Sequence, residues 1–276
     1  MGRFESYLGL PTLIGQAKYH IFLYLKDRML KKLQGWKGML LSRAGKEILI
    51  KAVAQSIPTY TMSVFQLPLK LCDELDALCA KFWWGQVGKE PKIHWKSWDK
   101  FSTSKKEGGM GFYDLRAFNL AMLAKQGRRM VRCTSSLQYQ CFKARYFPRS
   151  SFLDAIESLN CSYVWRSLMA TQPILKSSHC WRVGNGSSIG ELRDRWIPNY
   201  PTKKILHSVN ENFDEMLVSD LINPKLHVWR SEEIMSTFHR EDAEAICRIP
   251  LSRRNVTDFI VWIFNTKGMF TVKSTY

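Results

Sequence analysis

The chain has 276 residues, 45% of them hydrophobic, with 41 Lys and Arg against 24 Asp and Glu for a formal net charge of +17. That length and apolar content exclude a disordered tail and provide for one large or two modest cores. The charge is uneven: residues 1 to 150 hold 26 Lys/Arg and 10 Asp/Glu (+16), and residues 151 to 276 hold 15 and 14 (+1), so one half attracts polyanions and the other does not.

Residues 1 to 17 carry Gly9, Pro11 and Gly15 and read as an extended lead-in without a domain-opening signal; the expectation is a chain that opens inside a longer element. From Tyr19 to Gly85 three amphipathic helical patterns follow one another. In the first, Ile21, Leu25, Met29 and Leu33 share one face and Arg28, Lys31 and Lys32 form a separate basic row, until Gly35-Trp36 breaks it. After Ser42 as N-cap, Ile48, Leu49, Ala52, Val53 and Ile57 form a second stripe that Pro58 stops. The third begins at Pro68 and sets Leu71, Leu75, Leu78, Cys79 and Phe82 on one face before Trp83, Trp84 and Gly85. Three such stripes predict a helical bundle.

Residues 86 to 112, with Gly88, Pro91 and Gly108-Gly109-Met110-Gly111, predict a basic, aromatic loop region. With Asp114 as N-cap, a long helix should bury Leu120, Leu123, Ala124, Gly127 and Val131. On its other side Lys125, Arg128, Arg129 and Arg132 fall at i, i+3, i+4 and i+7, an acid-free row that suits a phosphate backbone, although a solvated face has the same look. A second helical zone runs from Gln138 to Ala170, interrupted near Pro148. Then Cys180–Val183 and Ser188–Leu192 flank Gly184-Asn185-Gly186 and predict a β-hairpin. Short helices are expected around Asp214 to Ile222 and Ser231 to Cys247. Phe259–Phe264 and Met269–Val272 bracket Asn265-Thr266-Lys267-Gly268 as a terminal hairpin, expected to be the least stable part because an isolated hairpin is marginal. The fold class is mainly α (α+β overall): a helical bundle, a helical linker and small antiparallel hairpins near the C-terminus. The expected divisions are 1–112, 113–177 and 178–276.

Tyr7-Leu8-Gly9-Leu10-Pro11, Gly35-Trp36, Leu41-Ser42-Arg43-Ala44-Gly45-Lys46, Leu49-Ile50-Lys51, Ile57-Pro58 and Phe82-Trp83-Trp84-Gly85 stand in that order along the chain. Ile93-His94-Trp95 with Trp98, Gly108-Gly109-Met110-Gly111-Phe112, Asn119 with Leu123-Ala124-Lys125-Gln126, Lys143-Ala144-Arg145-Tyr146, Trp181-Arg182-Val183-Gly184-Asn185-Gly186 and Thr271-Val272-Lys273-Ser274 follow. Together they resemble the segment after the polymerase palm in plant LINE-type (non-LTR) retrotransposon reverse transcriptases, over nearly the whole chain. The resemblance implies that the first part is a thumb, a helical element gripping primer and template. It also implies that a palm lies upstream in a longer chain and that the segment near Val272-Lys273-Ser274 leads into a zinc-binding module.

Nucleotide polymerisation needs paired carboxylates to hold two metal ions, and the chain has no Asp-Asp pair, no phosphate-binding loop, no nucleophile elbow and no H-E-x-x-H site. No catalytic residue is therefore assigned and no enzyme activity, cofactor or small-molecule substrate is expected. His179 and Cys180 with Cys161 have irregular spacing for zinc, against a reading as buried thiols and a satisfied histidine, so no metal ligand is assigned. Seven cysteines without pairing rhythm suit reduced thiols. No apolar run approaches the roughly 18 to 20 residues needed to span a membrane and no leader follows Met1; the expectation is an intracellular protein with no membrane partner, nucleus and cytoplasm being left open. Trp83, Trp84, Trp95 and Trp98 sit amid lysines and have two readings, stacking on bases and packing in the core. The expected function is nucleic-acid binding to RNA, DNA or their hybrid through Arg28, Lys31, Lys32, Arg43, Lys46, Lys51, Lys105, Lys106, Lys125, Arg128, Arg129 and Arg132. The rival is an inert or scaffold-like retroelement remnant.

Overall fold

Leu8 and Gly9, both at positive φ, turn the chain between strands β1 (Ser6–Tyr7) and β2 (Leu10–Pro11), and the lead-in passes into helix α1 (Lys18–Lys37). The computed structural model describes residues 6–37, 41–85, 93–198, 200, 202–205, 216–252, 254 and 256–276. The chain divides into two units, residues 1–173 with Thr275 and Tyr276, and residues 174–274.

In the first unit α1 buries Ile21, Phe22, Leu25, Met29 and Leu33 against α4 (Leu69–Trp84), whose Leu71, Leu75, Cys79 and Phe82 are likewise buried. Helix α1 runs through Gly35 and Trp36 to Lys37 instead of breaking there; Trp36 packs on Phe82 with ring centres 5.9 Å apart, which holds its last turn. Ser42 accepts a hydrogen bond from the Gly45 N–H and caps α2 (Arg43–Leu49) as expected. The stripe that follows is corrected. Ile48 is 64% exposed and Ala52 is exposed, while Ile50 and Ala54 are buried. Two causes combine: Ile50–Ala54 is π-helical, with the Gln55 N–H bonded to the Ile50 carbonyl five residues back, and Lys51 and Gln55 are drawn inward by backbone carbonyls at Met110 and Tyr113. Polar partners in the tertiary structure override the apolar period.

After α3 (Thr59–Met62), α4 starts at Pro68 and stops at Gly85, whose φ of 70° ends it in the left-handed region. Helix α5 (Trp98–Ser102) leads into a tight return through residues 103–112. A Cβ on Gly109 would lie 2.1 Å from the Thr103 carbonyl oxygen, so only glycine fits there. Asp114 accepts from the Arg116 and Ala117 N–H groups and caps α6 (Leu115–Arg132). Helix α6 buries Leu123, Ala124 and Gly127 as expected; Leu120 and Val131 are only half-buried, and Phe118, Asn119, Ala121 and Met130 complete the inner face. Helices α7 (Leu137–Tyr146) and α8 (Tyr163–Met169) flank the Pro148 interruption and close on a stacked aromatic group around Trp165.

In the second unit, reached through α9 (Gln172–Ser178), strand β3 (His179–Arg182) does not pair with 188–192. It pairs antiparallel with β6 (Phe259–Trp262), His179 opposite Trp262 and Arg182 opposite Phe259. The first strands of the two expected hairpins therefore pair with each other, and Gly190 bridges to Leu217 instead. The Gly184 and Gly186 N–H groups donate to Asp258 Oδ1 at 2.7 and 2.9 Å, and the Ser188 N–H donates to Oδ2 at 2.9 Å. The glycine turn wraps a carboxylate rather than reversing a hairpin, and β6 is fastened at its start. Residues 259–262 are thus no isolated ribbon, which removes the premise that they are the least stable part. Between these strands lie β4 (Ile222–Asn223) paired with β5 (Val228–Trp229), then α10 (Ser231–Thr237) and α11 (Arg240–Cys247), around a core of Ile189, Trp196, Val218, Ile234, Phe238 and Ile246; α12 (Val272–Thr275) ends the helices. The class is mainly α with small antiparallel β elements, as the patterning predicts.

One buried polar side chain ties the first unit together. Asn119 Oδ1 accepts from the Leu67 N–H at 2.7 Å, and its Nδ2 donates to the carbonyls of Met62 and Phe65, each at 2.9 Å. Asn119→Ala strands three buried backbone groups, each costing about 1–3 kcal/mol, so it should lose about 3 kcal/mol or more in urea unfolding. A loss below about 1 kcal/mol would show that water replaces the amide.

Candidate nucleic-acid interface

The cationic residues fall into two kinds, those with uncommitted donors and those already used by the fold. On α1, burial of Leu25, Met29 and Leu33 turns Arg28, Lys31 and Lys32 outward, and all three are exposed. On α6, Lys125, Arg129 and Arg132 are exposed along a helix that contains no acidic residue. Arg128, expected in the same row, is half-buried; burial, and then the neighbouring Arg132 charge, pushes its guanidinium below its ordinary range. Helix α4 packs against both α1 and α6, so one apolar support carries both rows.

The α2 and loop cations are engaged in structure. Arg43 donates from Nη1 to the Trp83 carbonyl at 2.9 Å and sits 5.4 Å from the ring centres of both Trp83 and Trp84. It therefore occupies the C-terminal end of α4, where the helix dipole favours a cation. Lys46, one turn on, lies 5.8 Å from the Phe82 ring centre. Lys51 donates to Glu47 Oε1 at 2.7 Å and to the Met110 carbonyl at 2.6 Å, and Lys105 reaches the same Glu47 oxygen at 3.0 Å. The hydrogen bonds from Lys51 and then Lys105 hold the Glu47 carboxyl below its ordinary range. Lys106 is exposed on the short turn Lys105–Glu107.

The tryptophans divide as well. Trp83 is buried against Phe101 and Phe112 at 5.7 and 5.4 Å, and half-buried Trp98 stacks on Phe112 at 4.8 Å and 8°. Trp84 stacks with His94 at 5.8 Å. Trp95 is 79% exposed, and neighbouring Ile93 is exposed too. Core packing thus takes Trp83 and Trp98, and Trp95 is left exposed.

Three polar residues with large roles carried no local signal. Gln55 makes a reciprocal pair with Tyr113, donating to its carbonyl at 3.0 Å and accepting from its N–H at 3.2 Å. Asp258 gathers the glycine turn; two closely spaced glycines whose N–H groups need an acceptor are the trace it leaves in the sequence. Asp76 accepts from Trp98 Nε1 at 3.3 Å under the aromatic cluster. The imagined zinc ligands are used otherwise: the His179 ring meets the Leu175 carbonyl at 2.6 Å, Cys180 is buried, and Cys161 neighbours Glu157 and Arg166. Among the described residues, no group of three or more His, Cys, Asp or Glu is placed to hold a metal ion. No helix among them is long and apolar enough to cross a membrane.

No family model matches the chain. Its mainly helical fold and its relatives are consistent with the plant retrotransposon-derived proteins that the motifs resemble. Over 143 residues it is 36% identical to an uncharacterized mitochondrial protein of Arabidopsis thaliana, covering 51% of this chain and 93% of that protein, and the chain belongs to that protein's family. Over 274 residues it is 27% identical to a second Arabidopsis thaliana protein, named "Putative ribonuclease H protein". That match takes in 97% of this chain and 44% of the relative, so the chain spans less than half of that protein's length.

Burial raises the Asp76 carboxyl from an ordinary 3.8 to about 7; the Trp98 N–H opposes the rise and Asp114 adds to it. Between those two values the folded chain holds a proton that the unfolded chain has released, so stability should fall as pH rises from about 4 to about 7. In Asp76→Asn that part of the decline should vanish. Urea midpoints at acidic and mildly alkaline pH test this, and parallel curves for the two proteins would refute it.

Proposed function

We propose that the chain is a non-catalytic nucleic-acid-holding part of a LINE-type reverse transcriptase, matching its thumb and the linker that follows. In this reading residues 1–112 are the thumb-like bundle with its basic loop, 113–177 the helical linker, and 178–276 a small mixed region leading toward a zinc-binding module. The palm and its paired carboxylates belong to a longer chain, and primer extension by this chain alone should be blank. The observation that carries the reading is the exposed row Lys125, Arg129 and Arg132 on an acid-free helix whose opposite face is buried and clipped by Asn119. Such a row neutralises successive phosphates without reading bases. The exposed Arg28, Lys31 and Lys32 row on α1 adds a second contact line. A relative named for ribonuclease H supports a nucleic-acid setting.

The fold narrows the residue set. Lys51 and Lys105 are engaged with Glu47, and Arg43 with the end of α4, so their replacement should act first on stability. Replacing Lys125, Arg129 and Arg132 by Gln should weaken binding to duplex and hybrid about equally across sequences. The salt slope should flatten by up to roughly 0.9 for each phosphate that is no longer neutralised, with the melting temperature unchanged. Plots of log binding constant against log salt measure it. Undiminished binding in this triple variant would move the interface to α1, and a wild-type chain without salt-dependent binding would establish the inert-remnant alternative.

A further inference from the structure

A cleft of about 370 Å³ opens in the first unit where residues 14–16 of the lead-in meet the beginnings of α1 and α8, lined among others by Lys18, Tyr163 and Arg166. Tyr163 is a fixed wall: its hydroxyl donates to the Gln66 carbonyl and its ring stacks on Phe65 with centres 6.1 Å apart. The Lys18 ammonium lies 4.8 Å from the centre of that ring. Among the described residues Lys18 makes no ion pair, and an aromatic face orients its charge. Arg166 spends its Nε–H on Glu157 Oε1 at 2.7 Å, and one terminal nitrogen lies 3.9 Å from the Cys161 sulfur. A guanidinium has five N–H donors, so most of the fork remains for another acceptor.

We propose that this cleft is a phosphomonoester site, taking the terminal phosphate of a nucleic-acid strand or of a mononucleotide. The charge match selects that group: a phosphate monoester carries about −1.5 to −2 at pH 7, against one charge on a backbone diester, and the cleft is lined by the cations Lys18 and Arg166, the latter shared with Glu157. The size match agrees, because the volume lies at the low end of the roughly 300–1,000 Å³ range of small-molecule sites and does not admit a duplex. The strand-end source rests on the nucleic-acid reading above; the mononucleotide source does not.

Isothermal titration of the full chain with adenosine monophosphate, adenosine and short single strands bearing either a 5′-phosphate or a 5′-hydroxyl separates these cases. The expected result is about tenfold tighter binding of adenosine monophosphate than of adenosine, a preference lost in Lys18→Gln and in Arg166→Gln. Lys225→Gln, which removes the same charge from an exposed position in the second unit, should keep it. Thermal melts confirm that the variants are folded, and Arg166→Lys should retain part of the preference by keeping the charge. Equal binding of adenosine monophosphate and adenosine, or a preference that survives both Gln substitutions, overturns the proposal. A 5′-phosphate preference on strands, lost in the same variants, identifies the strand end as the occupant; preference on the mononucleotide alone identifies a free nucleotide. Absence of all strand binding beside an intact mononucleotide preference sinks the interface reading and upholds the cleft.

Discussion

The apolar seam between α1 and α4 is the constraint on which the first unit depends. Leu25 and Met29 from one helix and Leu71, Leu75 and Cys79 from the other are fully buried, and the Cys79 sulfur lies 4.0 Å from the Met29 sulfur. Each such side chain contributes about 1.5–3 kcal/mol when removed from water, far more than the surface ion pairs around it. The seam also fixes what faces outward. Because residues 25, 29 and 33 point inward, residues 28, 31 and 32 point to solvent, and the basic row follows from the packing. The same helix α4 also packs against α6, whose Asn119 clips the 62–67 segment that leads into α4.

The motif residues that carry the resemblance are largely structural joints. Leu41 to Lys46 and Phe82 to Gly85 lie some 40 residues apart and meet through Arg43, which bonds the Trp83 carbonyl and covers two indole rings. Met110 in the glycine cluster receives Lys51, and Tyr113 just beyond it receives Gln55. The turn at Gly184 to Gly186 closes on Asp258, with no room for a Cβ on either glycine. A sequence signature of this kind reports how the chain folds, and it says less about which groups touch a ligand. Lys125, Arg129 and Arg132 owe their availability to having no such joint to make.

Helices α1, α4 and α6 were legible because their information is local. An apolar period, a capping Asp and a terminal glycine all lie within one element, and Asp114 and Gly85 do what their types predict, as Ser42 does at the start of α2. The second stripe was not legible, because the face that α2 and the π-turn bury is set by Lys51 and Gln55 reaching partners about 60 residues away. The strand pairing failed for the same reason. Cys180 to Val183 and Phe259 to Trp262 each look like half of a local hairpin, and nothing within either segment states that the true partner is the other. In the candidate interface, the basic rows could be read from spacing alone. The commitment of Arg43 to the Trp83 carbonyl, of Lys51 to the Met110 carbonyl and of Lys105 to Glu47 could not, since only the fold brings these groups near; the Glu47–Lys51 pair, four residues apart, is the local exception.

That commitment separates two things that a net charge merges. Every cation in the first half adds to the potential that draws a polyanion in, whether or not its donors are occupied, because the field depends on charge and falls off over a Debye length of about 8–10 Å. A contact is different. For Lys51 to reach a phosphate it must leave acceptors at 2.6 and 2.7 Å, and the Met110 carbonyl would then need water. The exchange gains little, whereas an exposed lysine on α6 gives up only hydration and counterions. Under the proposed function, the surplus of +16 in residues 1 to 150 would therefore set how fast and from how far a nucleic acid is drawn in. In that reading the smaller set with free donors would set how tightly it is held, and the salt slope would report the phosphates that set neutralises.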